Sequence, residues 1–306
     1  MSADFPKVAV LLAAYNGMSW IEEQLASILA QTRVRVSVYI SVDPSTDGTD
    51  AWCADYASTH PSVYLLPPAG PFKGAARNFF RLVRDVDFSA YDYVSFADQD
   101  DLWYPDKLQR AVTRLRSDGV DGYSSNVIAF WPDGRRMLVD KAQPQVKWDY
   151  LFEAAGPGCT YVLTRELASA FKRIVTTQWD DVQNVALHDW FCYAFARSHG
   201  YKWFIDPVAG MDYRQHASNQ FGVNAGAASA ITRVKQLADG WWISQIRLIC
   251  ALTDDSGAAI SERPKLAGRM AFVRLAMLMR NCRRRKRDQF AFVAICIVMA
   301  VNNPIA

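Results

Sequence analysis

A chain of 306 residues, of which 51% are hydrophobic and 21% charged, can bury a large core, and this excludes a disordered protein. The net charge of +3 is unevenly spread, because residues 263–287 hold ten lysines or arginines and no acid. The rest of the chain has 24 basic residues against 31 acidic ones, and this excess of acid argues against nucleic-acid binding.

The cysteines and the apolar runs indicate a cytoplasmic protein. The six cysteines include no Cys-x-x-Cys pair, a pattern that fits reduced thiols better than disulfides. The first ten residues lack the basic and apolar regions of a secretory signal. The longest apolar run, residues 290–301, is shorter than the roughly 20 residues that span a bilayer, so we expect no transmembrane helix.

The N-terminal segment predicts a strand, a helix and a second strand. Residues 7–17 form a continuous apolar run that ends at Asn-Gly, which is typical of a strand buried on both faces and followed by a turn. Ser19 and Glu22 have the spacing of a capping box, and apolar residues then recur at helical spacing. Residues 34–43 alternate as a strand does. This order predicts a βαβ unit and therefore a parallel sheet.

The alternation continues and predicts the fold class. A helix, a strand, another helix and a fourth strand are expected in turn at residues 50–59, 62–68, 74–86 and 91–101. We therefore predict an α/β fold with a mostly parallel, Rossmann-like sheet, flanking helices and a helical C-terminal extension. The polar clusters follow the strands, at the edge where open α/β sheets bind ligands.

Beyond residue 120 the regular alternation of strand and helix patterns ends, and the segments become shorter and richer in aromatic residues. From about residue 225 the pattern is helical. We therefore predict one domain over residues 1–224, followed by a helical region over residues 225–306. Within the domain, we expect residues 1–120 to bind nucleotide and residues 121–224 to bind an acceptor.

The fourth strand ends in FADQDDLW, which places Asp98, Asp100 and Asp101 within four positions. Adjacent carboxylates repel one another, so such a cluster needs water or a cation to neutralise it. One interpretation is a solvated turn before the helix expected at residues 105–116. The other is a site for Mg²⁺ or Mn²⁺, which takes oxygen ligands from one or two carboxylates and fills its other positions with phosphates.

Seven motifs in order give this chain a resemblance to a known family. They are LLAAYNG, SVDPSTDGT, GAARNF, ADQDDLW, GPGCTYVLTREL, LHDWF and DYRQHASNQFG, and they extend over roughly residues 7–222. The sequence resembles the family 2 glycosyltransferases of the GT-A fold, and within them the bacterial rhamnosyltransferase-like branch. Two departures are Val42 and Pro44, where the family usually has Asp and Gly around Asp43.

The resemblance implies a donor site and a metal site. Asp98, Asp100 and His216 would hold Mn²⁺ or Mg²⁺ between the phosphates of a nucleotide sugar, with Asp101 assisting through water. Asp98 would also contact the ribose or the sugar. The nucleotide-sugar would carry dTDP, UDP or GDP, and the residues expected to bind it are Ala14, Tyr15, Asn16, Asp43, Arg77, Asn78, Asp98, Gly158 and Arg214.

The resemblance also implies a catalytic base. Asp189 in LHDWF would take the proton of the acceptor hydroxyl, so that the oxygen displaces the diphosphate with inversion. His188 and Trp190 would contact the acceptor, although Trp190 also fits a core position. Asp180 and Asp181 are the competing candidates for the base.

The expected function is transfer of one sugar, such as L-rhamnose from dTDP-rhamnose, to a lipopolysaccharide, O-antigen, exopolysaccharide or other lipid-linked acceptor. The Gln-x-x-Arg-Trp signature of processive synthases is absent. The alternatives are a sugar-nucleotide hydrolase and a non-catalytic glycan-binding scaffold. Residues 263–301 combine a basic amphipathic helix with a short apolar segment. The helix has an apolar stripe, formed by Leu266, Met270, Val273 and Met277, and an adjoining basic arc, formed by Lys265, Arg269, Arg280, Arg283 and Arg287. This pattern predicts peripheral contact with the cytoplasmic face of the inner membrane, packing on the protein, or a homodimer.

Overall fold

The computed structural model describes residues 5–216, 240–254, 264 and 268–302, and the predicted domain boundary at residues 224–225 lies outside them. The strands in chain order are β1 Lys7–Ala14, β2 Arg35–Val42, β3 Val63–Leu65, β4 Tyr93–Ala97, β5 Leu102–Trp103, β6 Gly122–Ser125, β7 Val127–Phe130, β8 Arg136–Val139, β9 Val162–Thr164, β10 Trp203–Asp206 and β11 Met211–Arg214.

The helices among the described residues follow the expected periodicity in the first half of the chain. They are α1 Ile21–Leu29, α2 Thr49–Thr59, α3 Ala75–Asp85, α4 Lys107–Ser117, α5 Arg165–Thr177, α6 Trp179–Val182, α7 His188–Ser198, α8 Trp241–Leu252, α9 Arg269–Met277, α10 Met279–Cys282 and α11 Lys286–Asn302.

A seven-stranded sheet in the order β10-β6-β9-β4-β1-β2-β3 forms the centre of the molecule. Strand β1 pairs in parallel with β2 on one side and with β4 on the other. The strand order therefore runs outward from β1 in both directions, first through β2 and β3 and then through β4. Strand β9 is antiparallel to both β4 and β6. The predicted mostly parallel sheet is therefore confirmed. Open α/β sheets whose strand order changes direction in this way bind ligands at the carboxyl ends of the two strands concerned, which here are β1 and β4.

Both faces of β1 are buried, because its side chains alternate between two hydrophobic clusters. Ala9, Leu11 and Ala13 face the side covered by α3, α5 and α7. The intervening residues face the side covered by α1, α2 and α4, and they are Val8, Val10, Leu12 and Ala14. This two-sided burial explains the continuous apolar run in the sequence.

Helix α1 starts without the predicted capping box. Its N-cap residue is Trp20, and no side chain caps it. The carbonyl of Gly17 accepts the backbone N–H groups of Trp20 and Ile21, at 3.0 and 2.9 Å. A backbone turn therefore replaces the predicted pairing of Ser19 with Glu22.

The C-terminal helices pack on the main sheet domain rather than forming one continuous basic helix. Phe272 of α9 and Phe292 of α11 are buried in the same cluster as α3 and α7. The apolar stripe predicted for this region includes Met270 and Met277, and these are 64% and 72% exposed. Leu266 and Lys265 of that prediction lie outside the described residues. The basic arc is interrupted between α10 and α11, where Arg284 is buried.

Candidate active site

A cavity of about 1300 Å³ lies at the carboxyl ends of β1, β2 and β4. Parallel strands bring the residues that follow them to one edge of the sheet, which is why distant parts of the sequence meet here. Most of the predicted site residues line this cavity: Ala14, Tyr15, Asn16, Asp43, Asn78, Asp98, Asp100, Gly158, His188, Asp189 and His216.

Asp43 is buried at the end of β2 and organises the loop that follows β3. Its Oδ1 accepts the backbone N–H of Phe72 at 2.8 Å, and its Oδ2 accepts that of Lys73 at 3.1 Å. Lys73 itself lines the cavity. The carboxylate therefore fixes one wall of the cavity in addition to facing it.

Two asparagine amides hold the strand ends together. Asn78 Nδ2 donates to the carbonyls of Ser41 and Ala14, at 2.9 and 3.4 Å. Asn16 adopts a positive φ of 47°, and its Oδ1 accepts the backbone N–H of Thr46 at 2.8 Å. These bonds join β1 to β2 and to the loop after β2, so both side chains shape the cavity floor.

Gln99 is a site residue that the sequence analysis missed. Its Oε1 accepts the backbone N–H of Tyr15 at 2.7 Å, and its Nε2 donates to the carbonyl of Tyr15 at 2.8 Å. The side chain thereby ties the aspartate loop to the end of β1. Its position between Asp98 and Asp100 was the one signal in the sequence that could have drawn attention to it.

The three aspartates differ in where their carboxylates lie. Asp98 and Asp100 line the cavity, whereas Asp101 is fully buried behind it. Burial, followed by the charge of Asp100, raises the pKa of Asp98 to about 7, although a hydrogen bond from Cys159 opposes the shift. Burial and the other two carboxylates also raise the pKa of Asp101 well above its usual value. The carboxyls of this loop therefore resist ionising together, and a bound cation would stabilise their ionised forms.

The donor atoms at this loop fit a hard divalent cation. Asp98, Asp101 and Cys159 offer ligand atoms within 4.8 Å of one another. Burial raises the pKa of the Cys159 thiol well above its usual value, so the thiol stays protonated and is a poor ligand for Mg²⁺ or Mn²⁺. The carboxylates of Asp98 and Asp100, which open onto the cavity, provide the oxygen ligands that these ions prefer.

His216 and Arg214 reach the aspartate loop from the end of β11. His216 Nε2 lies 2.7 Å from Asp100 Oδ2, and its ring stacks on Trp20 at 3.9 Å. Arg214 does not line the cavity. It donates from Nε to the carbonyl of Asp100 at 2.8 Å and pairs with Glu23 at 2.5 Å. Arg214 therefore supports the loop from behind, while His216 faces the cavity.

Asp189 lies in the first turn of α7, on the cavity wall. Burial raises the pKa of its carboxyl to about 6. Backbone N–H groups, including that of Trp190 at 2.7 Å, limit this shift, and so does the positive charge of Lys141. A carboxylate with a pKa just below neutrality is ionised at pH 7 and still basic enough to accept a proton.

His188 presents a neutral imidazole next to Asp189. Its ring stacks on Phe79 at 3.9 Å, and burial lowers its pKa to about 3. Its Nε2 is buried and has no hydrogen-bond partner among the described residues. A neutral imidazole has one donor and one acceptor nitrogen, so His188 adds hydrogen-bonding capacity beside Asp189 without adding charge.

Gly158 is required for the close approach of its loop to α7. A Cβ at this position would lie 2.5 Å from His188 Nε2 and 3.0 Å from the Cβ of Asp189. The His188 ring cannot easily move away, because it is stacked on Phe79.

We therefore expect Gly158→Ala to displace the His188–Asp189 pair and to lower kcat by about 100-fold, the size of effect that a misplacement of about 1 Å can produce. Steady-state kinetics of the transfer reaction that the family resemblance implies would measure this loss, and circular dichroism with thermal melting checks that the variant folds. A folded variant with the kcat of the unmodified chain would contradict this steric argument.

Besides Arg214, two more predicted site residues lie outside the cavity lining. Trp190 is buried, and its Nε1 donates to the carbonyl of Tyr150 at 2.9 Å, so it occupies the core position that was the alternative to an acceptor wall. Arg77 Nε donates to the carbonyl of Gln183 at 2.8 Å and links α3 to the loop before α7. The competing base candidates, Asp180 and Asp181, are exposed on α6 and do not line the cavity.

One wall of the cavity was not predicted. Strand β8 contributes Met137, Leu138 and Val139, and the C-terminal region contributes Arg285 and Arg287. Spacing in the sequence gave no sign of this wall. The basic run predicted membrane contact, packing on the protein or a homodimer, and none of these places an arginine in the cavity.

Comparison with known sequences identifies similar proteins. The profile described as Glycosyl transferase family 2 matches residues 9–160. The chain is 43% identical over 289 residues to the dTDP-rhamnosyl transferase RfbG of Shigella flexneri, which covers 94% of this chain and 99% of that protein. It is also 32% identical over 135 residues to the succinoglycan biosynthesis protein ExoO of Rhizobium meliloti, covering 43% of this chain and 36% of that protein.

Comparison with solved structures identifies similar folds. A crystal structure of TarS from S. aureus superposes with a TM-score of 0.58 at 13% identity, covering 97% of this chain and 81% of that one. The mannosyltransferase PcManGT from Pyrobaculum calidifontis, in complex with GDP-Man and Mn²⁺, superposes with a TM-score of 0.52 at 18% identity, covering 98% and 88%.

Proposed function

Because this chain belongs to glycosyltransferase family 2, we propose that it transfers one L-rhamnose from dTDP-L-rhamnose to a glycan hydroxyl, with inversion and with a divalent cation. The RfbG relative and the family profile show the family and support a rhamnosyltransferase-like activity. The superposition on TarS shows the GT-A-type fold. The observation that carries the finer proposal is the cavity itself. It joins the carboxylates of Asp98 and Asp100 to a third one, that of Asp189, whose pKa is about 6.

The donor is proposed from the relative and from the cavity floor. RfbG is a dTDP-rhamnosyl transferase, and its similarity extends over nearly the whole of both chains. TarS has been solved with UDP and PcManGT with GDP-Man, so UDP-sugars and GDP-sugars are the competing donors. We assign the base and ribose to the wall formed by Tyr15, Asn16 and Asp43, beside Asp98.

Mn²⁺ or Mg²⁺ would be held by Asp98, Asp100 and His216, which face the cavity together. The bound ion would supply positive charge that stabilises the departing diphosphate. PcManGT was solved with Mn²⁺. In this chain, Gln99 and Arg214 keep the aspartate loop in place, through their bonds to Tyr15 and to the carbonyl of Asp100.

Asp189 acts as the base in a single displacement. The acceptor oxygen attacks the anomeric carbon from the face opposite the diphosphate, a new C–O bond forms, and the bond to the diphosphate oxygen breaks. The hydroxyl proton passes to the carboxylate of Asp189. His188, neutral because burial lowers its pKa to about 3, orients the acceptor hydroxyl beside it.

We assign the acceptor to a cell-surface glycan carried by a lipid, as in lipopolysaccharide or exopolysaccharide synthesis. Among the described residues, no helix combines the length and apolarity needed to cross a bilayer. Large apolar side chains are nevertheless exposed along α9 and α11, next to basic residues: Met270, Val273, Met277, Phe290, Ile297, Val298 and Val301. Such a surface suits peripheral contact with an anionic membrane.

The proposal is tested by supplying labelled dTDP-L-rhamnose, a UDP-sugar or GDP-mannose to the purified chain with Mn²⁺ and a glycolipid extract of bacterial membranes. We expect rhamnose to enter the lipid fraction as the anomer opposite to that of the donor, and we expect EDTA to stop the transfer. Faster transfer from a UDP- or GDP-sugar would reject the donor. Retention of the donor configuration would reject the single displacement, and release of free rhamnose without transfer would indicate a hydrolase.

A further inference from the structure

Three cationic side chains form one wall of the active-site cavity. Lys141 follows β8, and Arg285 and Arg287 lie just before and within the first turn of α11. Asp140 lines the same wall, and its Oδ2 lies 3.6 Å from Arg285 while also accepting from Gln143 at 2.7 Å. Arg287 pairs with Asp288 at 3.2 Å, and its side chain is 83% exposed. Positive charge therefore exceeds negative charge on this part of the lining.

The wall is fixed in place by the two arginines that precede it. Arg284 is fully buried along its side chain, contacts Asp149 at 3.2 Å and donates to the carbonyl of Ala154 at 2.7 Å. Arg283 donates to the carbonyl of Phe152 at 2.7 Å. Because these bonds dock the chain onto residues 149–154, Arg285 and Arg287 reach the cavity as part of the folded domain and not as a free basic tail.

The cationic wall and Asp189 line the same cavity. The charge of Lys141 acts on the carboxyl of Asp189, whereas Asp98 is affected by Asp100 and Asp189. Burial lowers the pKa of Lys141, and the charges of Arg283, Arg284 and Arg285 lower it further, opposed by Glu153. An anion bound at this wall would relieve that repulsion. It would also lie near Asp189, the proposed base, because the charge of Lys141 reaches that carboxyl.

We propose that Lys141, Arg285 and Arg287 bind a phosphate group carried by the acceptor, which places the acceptor hydroxyl next to Asp189. This inference rests on the proposed transferase function. It adds that the acceptor carries a phosphate group in addition to the hydroxyl that receives the sugar. Arginine and lysine bind phosphate through charge-assisted hydrogen bonds, and arginine does so with two parallel donors. The diphosphate of the donor is the other possible source of this phosphate.

Calorimetric titration with inorganic pyrophosphate in EDTA tests the wall separately from any metal site. We expect the unmodified chain to bind pyrophosphate. The double variant Arg285→Gln/Arg287→Gln should bind it at least about tenfold more weakly, which corresponds to a loss of roughly 1.4 kcal/mol of binding free energy. Lys286→Gln is the matched control, because Lys286 lies between the two arginines, is exposed and does not line the cavity. The control should bind as the unmodified chain does.

A second titration, with dTDP and Mn²⁺, separates the two sources of phosphate. Unchanged dTDP affinity in the double variant supports the acceptor subsite, and an equal loss for dTDP assigns the arginines to the donor and overturns the proposal. No binding of pyrophosphate by the unmodified chain, or the same loss in Lys286→Gln, also overturns it. Neither titration requires sugar transfer, so failure of the transferase proposal would appear only in the transfer assay.

Discussion

Asp189→Asn is expected to lower kcat for sugar transfer by about 10²- to 10⁴-fold, the usual contribution of a general base. Asparagine is close in size to aspartate but cannot accept the hydroxyl proton. The affinity for dTDP with Mn²⁺ should stay unchanged, because Asp189 is assigned to the acceptor side of the cavity. Steady-state kinetics and calorimetric titration with dTDP measure the two effects.

The same carboxylate should set the pH dependence of the unmodified enzyme. With a pKa of about 6, Asp189 is protonated at pH 5 and ionised at pH 8, so kcat should rise through this range and then level off. Asp189→Glu, which keeps a carboxylate, should retain a rising profile, and Asp189→Asn should be slow at every pH. A flat profile for the unmodified chain between pH 5 and 8 would count against Asp189 as the base.

Asp189→Asn should also make the fold more stable at pH 8. The pKa of the folded carboxyl is raised from 3.8 to about 6, so the folded state loses stability as the pH rises through this interval. Removing the buried charge should recover up to about 3 kcal/mol of unfolding free energy, at about 1.4 kcal/mol for each pH unit. Urea titrations at pH 4 and pH 8 should show this gain mainly at the higher pH.

In the unmodified chain, we expect dTDP to raise the melting temperature when Mn²⁺ is present and not when EDTA is present. Asp100→Asn is expected to abolish this Mn²⁺-dependent stabilisation. A ligand that binds the folded state alone at about 100 times its Kd stabilises it by about 2.7 kcal/mol. The carboxylate of Asp100 faces the cavity and His216, so its neutral amide should weaken metal binding and slow transfer by about 10²- to 10³-fold. Melting temperatures with dTDP, in Mn²⁺ and in EDTA, measure the first effect.

Asp101→Asn is the matched control for this prediction. The pKa of Asp101 is raised well above its usual value, and its carboxyl lies behind the cavity, where its Oδ1 accepts the backbone N–H of Arg214 at 3.1 Å. We expect this variant to keep the Mn²⁺-dependent shift with dTDP. The reverse result, loss in Asp101→Asn and retention in Asp100→Asn, would move the metal to the buried set of Asp98, Asp101 and Cys159.

Much of the arrangement of residues 1–120 followed from local patterns. The apolar run of β1 and the alternation of β2 predicted parallel strands, and parallel strands place Tyr15, Asn16, Asp43 and Asp98 at one edge of a sheet. Their place in the cavity was therefore accessible from the sequence. The start of α1 was not, because the choice between the Ser19 side chain and the backbone of Gly17 as the cap depends on the path of the turn.

The sequence by itself determined the family motifs and the order of the first four strands and their helices, since these depend on residue periodicity and on short-range spacing. Only the tertiary structure decided which side chains face the cavity. Trp190 is held in the core by the hydrogen bond from its indole N–H to the carbonyl of Tyr150. Arg285 lies at the cavity because the preceding residue, Arg284, is buried against Asp149. Such contacts join residues as far apart as 135 positions, and no local pattern encodes them.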